Sequence, residues 1–513
     1  MKTNKKVLGI ELGSTRIKAV LIDQNGKVLA SGGFDWENKF IDGHWTYSME
    51  QVFTGIKVAY AKLIENYGEI VTKLDAIGVS AMMHGYLPFN SDGELLANFR
   101  TWRDTTTLEA SEILTNALKF NMPQRWSATH YYQSILNGES HVKDVDFLTT
   151  LSGYVHYKLT GNKVLGIDDA SGMFPVKDGD YDKEKISEYN RLLLEKGIDK
   201  DLYKLLPKVL KAGEFAGVLT EEGAKLLDPN GNLCSGIKLC PPEGDMGTGI
   251  IATNTVAPRS ANVSAGTSAN LTVVLDKSLS NYYKEIDVIA TPDGYPCALV
   301  HTNNCTTEIN EWVNLFGEVL SLYGINPDKA DLFSKLFNLS LDSSENVGGL
   351  TAYNYLAGET LAKTDKGAPL IIRNPEYKMS LADFMQAQIY SAIATIELGM
   401  DILQNEGVKI DKVLAHGGYY KTPKIGQKAT SALLKAPVTV MQTAGEGGAW
   451  GMAILALYST IEGKSLSEFT DEIFLNEPKT IVTAEEKDVK TFNNFIKNYK
   501  KLLEVEKNAS RLI

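Results

Sequence analysis

The chain reads as an α/β fold in two halves. Strand-like apolar runs alternate with stretches of helical apolar spacing along most of its length, the pattern of a largely parallel sheet covered by helices. At 513 residues it exceeds what one hydrophobic core accommodates. A strand–turn–strand unit built on small hydroxyl residues occurs at residues 7–23 and again at 260–274, which suggests an internal duplication with a boundary near residue 255. The expected domains are therefore residues 1–255 and 256–513.

Composition narrows the function classes. A 43% hydrophobic and 22% charged share is that of an ordinary globular protein. The net charge of −11 argues against nucleic-acid and anionic-membrane partners. The apolar stretch that follows the basic start is broken at once by Glu11 and Arg16, so neither a signal peptide nor a spanning helix is expected. Four cysteines (Cys234, Cys240, Cys297, Cys305) without a CxxC pair make no disulfide framework and no zinc finger. A thiol-reduced, cytoplasmic protein is the expectation.

In the first half, two apolar runs flank Gly13-Ser14-Thr15, and a third, Val28-Leu29-Ala30, completes an antiparallel meander. So small a turn exposes backbone N–H groups and hydroxyls, which is what a phosphate needs. Glu11, two positions before the glycine, is placed to meet the magnesium that accompanies a nucleotide. A hairpin with a polar tip is the plainer alternative. Residues 49–70 have helical spacing, and Ile77 to Gly85 reads as a buried strand entering a loop. His84 lies at that strand's end, where ligands of open α/β sheets bind, although a lone histidine also serves as a structural residue. Trp102-Arg103-Asp104 suits a polyhydroxylated ligand, or equally an ion pair beside a surface tryptophan. Residues 107–160 are expected to be largely helical, with an amphipathic segment from Phe147 to Leu159, and 181–211 to be helical as far as Pro207. The pair Asp168-Asp169 could bind a metal, but with nothing histidine-like nearby it reads as a turn with solvated charges. A strand from Cys234 to Cys240 leads into Gly244-Asp245-Met246-Gly247-Thr248-Gly249. An aspartate held between glycines can accept a proton from a hydroxyl or hold a metal; it can also cap the helix that follows.

In the second half, Gly266-Thr267-Ser268 repeats the hydroxyl-rich turn. Tyr355 to Glu359 precedes a polar loop, and a helix is expected from Ser380 to about Asn405. The run Val413 to His416 is a strand ending in Gly417-Gly418, and residues 444–453 lead into a small-residue helix. Glycine pairs after strands let a flat ring or ribose lie against backbone, or let a helix pack closely on the sheet. Residues 487–507 form a charged amphipathic helix, expected only to cover surface.

Taken in order, Gly9-Ile10-Glu11-Leu12-Gly13-Ser14-Thr15, Met83-His84-Gly85, Asp169-Ala170-Ser171-Gly172, Gly244-Asp245, Ala265-Gly266-Thr267-Ser268, Tyr355 to Glu359 and Gly417-Gly418 with residues 444–451 resemble the FGGY carbohydrate kinases, nearest the xylulokinase branch. The resemblance runs from about residue 7 to 460. It implies two actin-like (ribonuclease H-like) ATPase domains with a cleft between them, and ATP and Mg²⁺ as cofactors. It further implies transfer of the γ-phosphate to a terminal hydroxyl of a small-molecule sugar, D-xylulose first, with L-ribulose, a hexulose, a polyol or gluconate as alternatives. Asp245 would be the general base. Gly13, Ser14, Thr15, Gly266 and Thr267 would cradle the phosphates, Gly417, Gly418 and Glu446 would line the adenosine, and Met83, His84, Trp102 and Asp104 the sugar. Glu11, the expected metal contact, stands where the family usually carries aspartate. A homodimer is a further expectation, and an actin-like ATP-binding protein without a sugar substrate is the rival class.

Overall fold

The computed structural model describes residues 5–441 and 447–513. The chain forms two compact units. One comprises Met1–Val256, Val288–Cys297 and Gly445–Asn476; the other comprises Ala257–Asp287, Ala298–Ala444 and Glu477–Ile513.

In the first unit, Lys6–Leu12 pairs antiparallel with Arg16–Asp23, which pairs antiparallel with Val28–Asp35. On its other side Lys6–Leu12 runs parallel to Ala76–Ala81, a strand buried at every position. Lys238–Leu239 and Glu243–Gly244 both add to Ala76–Ala81 in the parallel sense. Helix Met49–Tyr67 buries Val52, Ile56, Ala59 and Leu63, whose spacing of three and four puts them on one stripe. It ends at Gly68 in the left-handed conformation (φ 77°) that a helix C-terminus favours. Helix Gly447–Tyr458 packs so closely on Lys6–Leu12 that a Cβ on Gly9 would overlap Ala449 O and lie 2.5 Å from Ala453 N. A helix from the far end of the sequence is thus part of the first sheet's core.

The second unit repeats the local plan. Ser260–Ala265 pairs antiparallel with Ala269–Val274 and parallel with Lys412–His416. Val438–Met441 adds in parallel, and Lys479–Val482 closes that side antiparallel. Helix Leu381–Asn405 starts at Ser380, whose side chain and that of Asp383 make a reciprocal capping box.

Several expectations need correction. Phe147–Thr149 is a strand paired with Leu87–Phe89, and only Leu151–Thr160 is helical there. The 181–211 region is broken into Lys183–Glu195 and Leu202–Leu205, with Lys208–Leu210 a strand. Between Cys234 and Cys240 only Lys238–Leu239 is extended in a ladder. Asp168 and Asp169 are not solvated: both are fully buried in the short helix Ile167–Ser171. The C-terminal helix, Glu486–Leu512, is no mere cover. It buries Phe492, Phe495, Ile496 and Tyr499, with Tyr390 edge-on to Phe492 at 5.0 Å and the Tyr499 ring 4.5 Å from that of Tyr353. The helix is rich in charged residues, but the buried positions recur at helical spacing, and that spacing decides which face is core. Phe495→Ala should therefore destabilise the second unit by about 3–5 kcal/mol, the range for emptying a buried aromatic site. Urea unfolding of that unit checks this; a loss below about 0.5 kcal/mol would return the helix to a surface role.

Candidate active site

Strand register brings three separated segments to one edge. Leu12 is opposite Ala81, and Ala81 is opposite Gly244, in parallel ladders. The residues that follow, Gly13, Met82 to His84 and Asp245, therefore leave the sheet side by side at its carboxyl end, where α/β sheets bind ligands. Met82 N donates to Leu12 O (3.0 Å) and fixes the first step beyond the ladder.

Asp245 is the first residue of helix Asp245–Ala252, and Gly244 is the N-cap. The capping role considered for Asp245 thus falls to its neighbour, and the carboxylate is turned to other partners. Its Oδ1 accepts from Met83 N at 3.2 Å. The side chain keeps exposed surface, yet the surrounding chain desolvates it enough to raise its pKa, against the lowering effect of nearby amides and of Arg125. Both hold for a group enclosed by protein and open on one side. Met83 is buried and packs where a Cβ on Gly244 would stand.

His84 adopts φ 70°, uncommon for a residue with a side chain. Its Nδ1 lies 3.0 Å from Gly172 O. A carbonyl only accepts, so Nδ1 carries the hydrogen. Burial, aided by the charge of Arg125, outweighs this bond and pushes the ring's pKa down to about 3. His84 is then a neutral imidazole whose Nε2 is an acceptor.

The two hydroxyl-rich turns share one device. In the first, Gly13 O accepts from Trp36 Nε1 (2.7 Å), Ser14 O from the Tyr47 hydroxyl (2.6 Å) and Thr15 O from Trp36 N (3.1 Å). Trp36 and Tyr47 stack at 4.3 Å between ring centroids. In the second, Gly266 O accepts from Thr306 N (3.0 Å) and Thr306 Oγ1 (2.7 Å), and Thr267 O accepts from Cys305 N (2.9 Å). Gly13 N and Gly266 N close their own turns by donating to Arg16 O (3.0 Å) and Ser268 O (2.9 Å), so an anion at either turn would meet the amides and hydroxyls that follow the glycine. Asn304 extends the second support: its Oδ1 accepts from Leu356 N and Ala357 N, and its Nδ2 donates to Glu359 Oε1 at 2.7 Å. The Tyr355–Glu359 motif is thereby a brace behind Gly266 and Thr267.

Gly417 must be glycine. It sits at φ 106°, and a Cβ there would overlap Ala265 O, so the glycine pair lies against the second turn. Gly418 faces open space. Glu446 lies outside the described residues. Trp102 is 40% exposed, and Arg103 lies over Trp45 at 4.4 Å and over Trp102 at 5.9 Å. Asp104 is buried, with Oδ2 2.6 Å from His44 Nδ1 and Oδ1 accepting from Thr106 N and Oγ1. This segment is held to the Lys39–Ile41/His44–Thr46 hairpin, whose Trp45 O also accepts from Thr101 N.

Glu11 Oε2 accepts from Ala449 N (3.1 Å), and burial followed by the charge of Asp245 raises the Glu11 pKa. A cation beside Glu11 would offset both its desolvation and the charge of Asp245. Among the described residues no group of three or more His, Cys, Asp or Glu is placed to hold a metal. One or two carboxylates completed by phosphate oxygens and water is how Mg²⁺ is usually held, so the residues present fit that ion.

Sequence reasoning missed Trp36, Tyr47, Asn304, Arg125 and His44, because each acts through a partner distant in the chain. The aromatic pair just beyond the meander was the available signal. The His84 assignment is directly testable. The folded ring lacks a proton that the unfolded chain takes up below about pH 6.5, so His84 costs stability as pH falls from there towards 3. In ¹⁵N-correlated spectra it should remain the Nδ1–H tautomer from pH 8 to pH 5. A titration centred near pH 6.5 would overturn that description.

Residues 6–232 match the N-terminal domain, and residues 261–460 the C-terminal domain, of the FGGY family of carbohydrate kinases. The chain is similar to a xylulose kinase from Haemophilus influenzae, 24% identical over 490 residues that cover 91% of this chain and 93% of that protein. In fold it is similar to a gluconate kinase from Lactobacillus acidophilus (TM-score 0.79, 18% identity, 99% of each chain). It is equally similar to a ligand-bound xylulose kinase from the same organism (TM-score 0.79, 18% identity, 98% of each chain). No helix among the described residues is long and apolar enough to cross a membrane. With both family domains matched in order over most of its length, the chain belongs to the FGGY carbohydrate kinases, sugar phosphotransferases that use ATP and have a two-domain, actin-like ATPase fold.

Proposed function

We infer that the chain phosphorylates a terminal hydroxyl of a ketopentose, D-xylulose first, with Asp245 as the general base. The observation that carries this reading is Asp245 itself. It is an exposed carboxylate of raised basicity, oriented by Met83 N and next to a neutral His84, at the same sheet edge as the Gly13-Ser14-Thr15 turn. A raised pKa makes a carboxylate a stronger base near neutral pH. In the proposed step the sugar hydroxyl oxygen bonds to the γ-phosphorus as its proton passes to Asp245. The bond from phosphorus to the β–γ bridging oxygen breaks, ADP leaves, and Asp245 returns the proton to solvent through its open side. The amides of Ser14 and Thr15, and that of Thr267, bind phosphate oxygens whose charge grows in the transition state, with Gly13 and Gly266 letting the phosphates approach the backbone. Gly417 and Gly418 carry the adenosine, and the acceptor Nε2 of His84, with Trp102, binds sugar hydroxyls, while the buried Asp104 holds the Trp102 segment through His44 and Thr106. A Mg²⁺ ion held through Glu11 would neutralise phosphate charge.

One observation favours a second substrate. The charge of Arg125 reaches both His84 and Asp245, and a cation there suits an aldonate carboxylate such as that of gluconate. ADP release measured against ketopentoses, aldoses, polyols and gluconate separates the two readings. Asp245→Asn should lower sugar-dependent turnover by about 10²–10⁴-fold while nucleotide affinity stays within a few-fold. Turnover within tenfold of the unaltered protein would show that Asp245 is not the base.

A further inference from the structure

The helix that carries Asp245 is poorly made for holding anything still. Asp245–Ala252 spans eight residues and contains Gly247 and Gly249, each costing about 1 kcal/mol of helix propensity relative to alanine. Its N-cap, Gly244, has no side chain with which to satisfy the first-turn amides that every helix leaves open. The missing acceptor comes from elsewhere. Asp168 Oδ2 accepts from Gly244 N at 3.1 Å and from Gly247 N at 3.0 Å, bracketing Asp245 on both sides. The two glycines make room for it. A Cβ on Gly247 would stand 2.5 Å from Asp168 Oδ2, and one on Gly244 2.9 Å from the same atom.

The arrangement is reciprocal. Glu243, the residue before Gly244, accepts from Asp169 N in a long bond of 3.5 Å. Each segment thus supplies the carboxylate that closes the other's open backbone. Asp169 ties the pair to a third helix by accepting from Thr150 Oγ1 (2.6 Å) and from Ser152 Oγ. All three carboxyls are fully buried, and Asp168, Asp169 and Glu243 each leave one oxygen without a hydrogen bond. Burying acids in this way is costly, and apolar packing would serve stability better.

We propose that Asp168 and Glu243 are positioning residues for the phosphotransfer: their reciprocal clamp fixes the first turn of the Asp245 helix, and with it the direction of the Asp245 carboxylate. This rests on the reading of Asp245 as the base. A misplacement of about 1 Å at a reacting group costs on the order of 10²-fold in rate, and a glycine-flanked turn without its acceptors has that freedom.

The test uses the full chain with Mg-ATP and whichever sugar responds, kcat being expressed per active site by titration so that unfolded protein does not count. Asp168→Ala removes both acceptor bonds and should lower kcat by roughly 10- to 100-fold, with KM for sugar and nucleotide affinity each within about threefold. Asp168→Asn keeps one oxygen for the two amides and should recover most of that loss. Gly247→Ala leaves Asp168 in the chain but sets a methyl group 2.5 Å from its Oδ2, which displaces the carboxylate and should reproduce the alanine defect. Asp245→Asn runs alongside. If Asp245→Asn abolishes turnover while Gly247→Ala keeps full kcat, the clamp is wrong and the base stands. If Asp168→Asn is as poor as Asp168→Ala, charge and not the two bonds matters, and the clamp is again overturned. If Asp245→Asn remains active, the base reading fails by itself.

Discussion

Everything at the edge where the candidate site lies depends on the register of parallel strands. Leu12, Ala81 and Gly244 are ladder neighbours although more than two hundred residues separate the first from the last. A one-residue slip in either ladder would invert the faces of a strand and move its following segment out of line. Burial on both sides prevents that slip: Ala76–Ala81 is buried throughout, and Gly9 and Gly78 leave no space between the sheet and helix Gly447–Tyr458. The second unit uses the same rule, with Ser264 opposite His416 ahead of Gly266 and Gly417. Catalytic geometry is therefore inherited from packing several residues upstream of the groups concerned.

Much of this was legible beforehand. The meander at residues 7–30, the second hydroxyl-rich turn, the buried strand ending near His84 and the helix from Ser380 are local patterns, and local patterns are what periodicity and turn chemistry encode. The family followed from their order. The readings that failed concern groups whose environment is set by distant chain. Asp168 and Asp169 carry the same charges in a solvated turn as in a core; only Gly244, Gly247, Thr150 and Ser152, all remote in sequence, make them internal. The helix Glu486–Leu512 is rich in charge, and its burial is decided by Tyr353 and Tyr390, more than a hundred residues earlier. The membership of residues 445–476 in the first unit had no local signature at all.

The electrostatics follow from the same placement. Carboxyls at Glu11, Asp168, Asp169, Glu243 and Asp245 all have raised pKa values, and desolvation is the leading cause at each. They differ in what satisfies them. Asp168 and Glu243 are spent on backbone amides, Asp169 on hydroxyls, and Glu11 on the amide of Ala449. Asp245 combines an oriented oxygen with the greatest exposure of the five, Glu11 being half-buried and the other three buried. Among neighbouring acids of similar intrinsic strength, access to solvent separates a reactive group from a structural one.

The interleaving of the two units along the chain has a consequence for biosynthesis. Strands Lys6–Leu12 and Ala76–Ala81 leave the ribosome early, but the helix that fills the space against Gly9 and Gly78 begins at Gly447. At about 5–20 residues per second the nascent sheet waits on the order of tens of seconds with one face bare. Tyr355 likewise waits for Tyr499, its hydroxyl partner at 2.6 Å. Neither unit can mature before translation nears the end of the sequence. The half-made polypeptide, with apolar strands uncovered, is the form most exposed to aggregation and most in need of chaperones.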